Sequence, residues 1–148
     1  MVETLPVIDA LHQKSSVTAI ALHPISGHLL IGNTDGLVQC VDVRSDAKDV
    51  LSKIHVNSKI VGLAWSTNKI VILDETNGLH VYSMDAEEIW RSEFDAGGAQ
   101  LSVGKQILAL DGIGTLRQYT LDGQEYSMVQ RDVRSFATSN DSTFLILE

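Results

Sequence analysis

Two apolar runs flank a short polar turn in the stretch Leu30-Ile-Gly-Asn-Thr-Asp-Gly-Leu-Val-Gln-Cys-Val-Asp-Val43. β-Branched residues on both sides of an Asp-Gly turn are typical of two paired antiparallel strands. The same arrangement returns without gaps in residues 71–84 and 108–121, so the repeat lengths are 41 and 37 residues. A further copy begins at Val133. The chain is therefore predicted to repeat one β-structured unit.

The regions around these hairpins contain further short β-branched runs, separated by Gly, Asn, Asp and Ser, and helical periodicity is nearly absent. Each unit then has four strands, as in a propeller blade. The sequence predicts an all-β fold, a β-propeller of four-stranded antiparallel blades with about three and a half blades present. The predicted single domain, residues 1–148, contains a closure strand over 6–12, blades over 17–56, 60–95 and 99–131, and a partial blade over 133–148.

Blade one resembles a Trp-Asp repeat. Residues 17–24, 28–36 and 37–42 follow that family's first strand, its second strand with the Asp-Gly turn, and its third strand. His12 and His55 lie near the place of the family's Gly-His dipeptide. The resemblance implies that these histidines staple a blade by hydrogen bonds to a turn aspartate.

All the blades depart from that pattern in places. Val41 and Tyr82 stand where the Trp-Asp family has Trp, and Thr76-Asn77 replaces Asp-Gly. Residues 78–90 and 114–126 look equally like quinoprotein-type repeats, with a third strand, a turn and a fourth strand that carries an aromatic residue. Both resemblances imply the same propeller architecture.

Composition limits the function. A net charge of −8 with scattered basic residues argues against nucleic-acid binding. Cys40 is the single cysteine, so no internal disulfide is expected. The apolar runs are of strand length, and the first residues lack the pattern of a signal peptide. These features lead us to expect a cytoplasmic protein that does not bind membranes.

The sequence predicts no catalytic, cofactor-binding or metal-binding residues. The five histidines have no HxH or HExxH spacing, and no GxSxG motif is present. The acidic pairs, Asp74-Glu75 and Glu87-Glu88, consist of adjacent residues, whose side chains point apart on a strand. Trp65 and Trp90 are interpreted first as core residues between blades.

We therefore expect a non-catalytic protein–protein interaction scaffold. In a blade the turns after the second and fourth strands share one face, whose acidic residues suggest a basic or polar partner peptide. Asn33, Asp74 and Asp111 occupy equivalent positions and are interpreted first as turn formers. The candidates for contact with a partner protein or peptide are Asn33, Asp35, Lys59, Asp74, Glu75, Asn77 and Asp111.

Two alternatives remain open at this level. The chain could be part of a propeller enzyme of the quinoprotein or glycosidase type, whose site would be shared among several blades. It could also be a structural fragment that assembles with its own copies. The predicted strands do not close a ring, and an edge strand ending in Phe144-Leu-Ile-Leu147 would be left unpaired. We therefore expect a longer chain, further copies or a second chain to complete the ring.

Overall fold

The computed structural model describes residues 15–44, 46, 49–123, 125–138 and 144–147, and the regular elements among them are β-strands. The expected closure strand over 6–12, with His12, lies outside the described residues. In chain order the strands are β1 (Val17–Leu22), β2 (His28–Asn33), β3 (Leu37–Asp42), β4 (Val50–His55), β5 (Ile60–Ser66), β6 (Lys69–Asp74), β7 (Gly78–Ser83), β8 (Glu88–Glu93), β9 (Gly98–Val103), β10 (Ile107–Asp111), β11 (Leu116–Tyr119), β12 (Glu125–Gln130), β13 (Ser135–Thr138) and β14 (Phe144–Leu147).

The strands pair in the order in which they occur along the chain. β1 to β4 form one antiparallel sheet, β5 to β8 a second and β9 to β12 a third, here called blades one, two and three. β13 and β14 pair as an antiparallel hairpin, here called blade four. The predicted fold class, an all-β propeller of four-stranded blades, is confirmed.

The first strands of successive blades lie side by side, with β1 against β5 and β5 against β9. β6 shows how the sheets share their cores. Ile70 and Ile72 pack towards blade one, whereas Val71 and Leu73 pack towards blade three, and all four are fully buried. Because both faces of the strand are covered, its sequence is a continuous apolar run without polar alternation.

Both tryptophans join neighbouring blades, as the sequence predicts. The Trp65 indole Nε1–H on β5 donates to the Ala21 carbonyl of blade one at 3.0 Å. The Trp90 Nε1–H on β8 donates to the Leu121 carbonyl of blade three at 3.2 Å. The Trp90 ring also lies 5.9 Å from the Tyr119 ring, centroid to centroid. Each half-buried indole thus satisfies its polar atom across a blade boundary.

Candidate functional site

The predicted loop face is held together by backbone hydrogen bonds that repeat from blade to blade. In each blade, an N–H in the turn after the second strand donates to a carbonyl in the segment just before the first strand. The three pairs are Thr34 to Ser16 at 3.1 Å, Glu75 to Lys59 at 2.9 Å and Gly112 to Gly97 at 3.0 Å. The two kinds of turn therefore lie side by side on one face.

A second set of backbone bonds ties the same turns to the segment that leads to the next blade. The three pairs are Val56 N–H to the Gly36 carbonyl at 2.9 Å, Phe94 N–H to Asn77 at 2.8 Å and Val133 N–H to Gly114 at 2.9 Å. We call these six bonds together the backbone ladder. The ladder runs from blade one to the start of blade four, so the turns of this face form one connected frame.

The side chains of Asn33, Asp74 and Asp111 hold the turns in shape. Each accepts hydrogen bonds at Oδ1 from backbone N–H groups two and four residues further along the chain. The pairs are Asn33 with Asp35 at 2.9 Å and Leu37 at 3.1 Å, Asp74 with Thr76 at 2.9 Å and Gly78 at 3.3 Å, and Asp111 with Ile113 at 3.1 Å and Thr115 at 2.8 Å. The interpretation of these residues as turn formers is confirmed.

The second oxygen of each aspartate faces the third strand of its blade. Asp74 Oδ2 lies 2.6 Å from His80 Nε2, and both residues are buried. Asp111 Oδ2 lies 3.5 Å from an Arg117 guanidinium nitrogen, and that guanidinium sits 5.0 Å from the centre of the Phe94 ring. Gln39 occupies the equivalent place in blade one.

The pKa of Asp74 reflects these contacts. Burial alone would raise the pKa of this carboxyl. The hydrogen bond with His80 and those from the backbone of Asn77 and Gly78 outweigh burial and hold the pKa below its ordinary value. Asp74 is therefore a charged structural group inside the protein.

The seven predicted contact residues divide by exposure. Asp74 and Asp111 are buried and Asn33 is half-buried, so these three shape the face from beneath. The four that are open to solvent are Asp35, Lys59, Glu75 and Asn77. The Ser15 hydroxyl donates to Asp35 Oδ2. That these side chains bind a partner stays a prediction. Only the four exposed side chains are open to direct contact with a partner.

The face also displays two side chains that the sequence analysis left out of the candidate list. Ile113 is 74% exposed at the tip of its turn in blade three. Asp95 is exposed in the turn between β8 and β9. Residues 97–103 contain few strong strand formers, so the sequence marks the start of blade three poorly. The composition of Asp95-Ala-Gly97 is nevertheless typical of a turn.

A cleft of about 400 Å³ adjoins this face between the end of blade one and the outer strands of blade two. Its lining includes His55, Asn77, His80, Arg91 and Glu93. His55 is exposed, in contrast to the buried staple that the family resemblance implies. Among the described histidines in this cleft, His80 contacts a turn carboxylate, that of Asp74. Thr76-Asn77 stands at the family's Asp-Gly turn position in this blade.

Within the described ranges, no group of three His, Cys, Asp or Glu side chains is arranged to hold a metal ion. The same part of the chain has no helix with the length and apolarity to cross a membrane.

No protein-family model and no curated protein matches this sequence. Solved structures are similar at the level of the fold. The computationally designed protein Ika4 is 14% identical with a TM-score of 0.74, and the match covers 93% of both chains. Sqt1 of Saccharomyces cerevisiae, a Trp-Asp-repeat protein, is 15% identical with a TM-score of 0.71 over 83% of this chain and 38% of its own.

Two further structures match only part of their own length. The computationally designed protein Ika8 is 16% identical with a TM-score of 0.76 over 92% of this chain and 46% of that chain. Hydrazine synthase of Kuenenia stuttgartiensis is 18% identical with a TM-score of 0.71 over 86% of this chain and 42% of that chain. The chain thus spans less than half of the Ika8, hydrazine synthase and Sqt1 chains. These similarities support the β-propeller fold.

Proposed function

We propose that this chain is a non-catalytic interaction module that binds a partner protein or peptide on its loop face. The backbone ladder carries the proposal, because it holds the turns of neighbouring blades in one frame. A backbone held in such a frame loses little conformational entropy when a partner binds. We also propose that blade one is a repeat of the Trp-Asp type and that the protein is intracellular.

The charge of the face around blade two favours a basic partner. In the turns from blade one to the start of blade three, the exposed charged side chains are Asp35, Lys59, Glu75 and Asp95, whereas Arg131, Asp132 and Arg134 are exposed in the segment before blade four. Three of the first four are acidic, and the neighbouring exposed Ile113 offers an apolar contact. A peptide with Lys or Arg side chains around an apolar residue complements this pattern.

Selection from a random peptide library displayed on phage tests the proposal, with the 148-residue chain immobilised. We expect the selected peptides to be enriched in Lys and Arg. A triple variant, Asp35→Lys with Glu75→Lys and Asp95→Lys, should bind them at least about tenfold more weakly, because charge complementarity becomes repulsion.

A matched triple variant controls for the change in total charge. Asp85→Lys, Glu87→Lys and Asp122→Lys alter the charge equally, but these exposed residues lie in turns at the other ends of the strands. The selected peptides should bind this variant as well as the wild type. Equal weakening by both triples, or no effect of the first, would show that the loop face is not the binding surface.

A further inference from the structure

Two apolar residues of β1 occupy positions that join neighbouring blades elsewhere in the chain. The strand pairings make Ile20 equivalent to Leu63 of β5 and Leu101 of β9. Each of the three is paired with the second-strand residue that lies two positions before the turn-forming Asn or Asp of its blade. By the same rule, Leu22 is equivalent to Trp65 and Val103. The three first strands therefore present the same two positions to the side of the preceding blade.

These positions are packed in blades two and three. Leu63 and Trp65 pack against the core shared with blade one, and Leu101 and Val103 pack against the core shared with blade two. In blade one, Ile20 is 56% exposed and Leu22 is 60% exposed. Ala19 and Ala21, which alternate with them, pack towards blade two as usual.

The residues paired with Ile20 and Leu22 lie beneath this exposed pair and are themselves buried. Ile31 pairs with Ile20, Leu29 pairs with Leu22, and Val41 pairs with Leu29. Leu29, Ile31 and Val41 form a buried cluster separate from the core between blades one and two. We call the exposed surface of Ile20 and Leu22, which this cluster supports, the blade-one face.

An exposed small residue marks the corresponding side of blade four, at the other end of the described sheets. Phe136 on β13 packs against blade three, so the adjacent Ala137 points to the opposite side of its strand, where it is exposed. Ala64 of β5 has the same orientation and packs towards the following blade. The small side chain of Ala137 thus marks a surface of the kind that receives the next first strand.

We propose that the blade-one face of one copy packs against the Ala137 side of blade four in a second copy, by the geometry that joins blades within the chain. Such a contact is heterologous, and two copies satisfy it twice if the rotation closes into a ring. Among propellers of the same fold, Ika4 has about the length of one such unit and Ika8 about the length of two, since the matches cover 93% and 46% of those chains.

Sedimentation velocity from about 1 to about 100 μM chain tests this interface. The wild type should sediment as two copies at the upper concentrations. Ile20→Asp with Leu22→Asp should weaken association at least about tenfold, because two charges would be buried between sheets. Met84→Asp with Ile89→Asp is the matched control, since both residues are exposed on blade two, away from this contact, and should leave association unchanged.

A mixing experiment fixes the geometry. Ala137→Arg should also give single copies, because it blocks the other half of the contact. Mixed with the Ile20→Asp, Leu22→Asp variant, it should restore two-copy particles through the one interface in which both halves are intact. Circular dichroism checks that each variant keeps its β-structure. A wild type that stays a single copy at every concentration, or a mixture that does not associate, would overturn the proposal.

Discussion

Asp74 holds its turn with one carboxylate oxygen and faces His80 with the other. An Asp74→Asn side chain can still accept the turn's backbone hydrogen bonds, as Asn33 does in blade one, but it carries no charge. We expect the free energy of unfolding at pH 7 to fall by about 1–3 kcal/mol, the usual value of a buried charge-assisted hydrogen bond. Urea denaturation measures the change, and Asp95→Asn, an exposed acid on the same face, should change it little.

The difference between wild type and Asp74→Asn should also depend on pH. The pKa of Asp74 is lowered in the folded protein, so its contribution is fully present above the pKa of the unfolded chain, about 3.9. The contribution is lost as the pH falls through the lower folded-state pKa. A difference that stayed constant from pH 7 to about pH 3 would contradict this account.

Gly97 lies in the backbone ladder with a φ of +67°. A Cβ atom there would stand 1.7 Å from the Glu75 carbonyl oxygen, which cannot move without disturbing the turn after β6. Gly97→Ala should therefore destabilise the fold by at least about 2 kcal/mol, measured as a lower urea midpoint. Gly104→Ala, at an exposed turn position without positive φ, should have a small effect.

Strand β8 presents Trp90 to blade three and the preceding residue, Ile89, to solvent. Trp90→Ala should cost about 2–4 kcal/mol of unfolding free energy, because it removes a half-buried indole and its hydrogen bond across the blade boundary. Ile89→Ala, on the opposite side of the same strand, should cost far less. Similar losses for the two variants in urea denaturation would show that the indole does not join the blades.

Most strands could be predicted from the sequence because they are short runs with β-branched residues between turn residues. β4, Val50–His55, is such a run. β9 gave a weak signal, since Gly98 and Ala99 have low strand propensity, and pairing with β10 stabilises it instead. The turn-forming roles of Asn33, Asp74 and Asp111 could also be predicted, because they depend on local backbone geometry.

The exposure of the candidate side chains could not be predicted in the same way. Asp74 and Asp35 are both acids in equivalent turns, but one is buried and the other is open to solvent. The difference depends on which atoms the third strand and the neighbouring blade bring to the turn. The partner of Asp74 is six residues away, and no motif of the family resemblance points to His80.

At the scale of the whole molecule, blade two links its neighbours, because β6 contributes to the cores on both sides. Unfolding of blades one to three should therefore be a single cooperative transition. Trp65 reports on the boundary between blades one and two, and Trp90 on that between blades two and three. In the single-tryptophan variants Trp65→Phe and Trp90→Phe, the fluorescence and circular dichroism transitions in urea should coincide within each variant. A fluorescence midpoint that differed from that of circular dichroism would indicate blades that unfold separately.

The backbone ladder joins the blades through main-chain atoms alone. Such a joint needs glycine at Gly36, Gly97, Gly112 and Gly114, but its hydrogen bonds do not depend on the side-chain chemistry of the other positions. Duplication of one unit would reproduce the joint in full, and later drift could erase the likeness between units. Gln39, His80 and Arg117 already differ at one equivalent position. A gene built of such units can lengthen by whole units, and the sequence similarity between units can be lost while their common structure is kept.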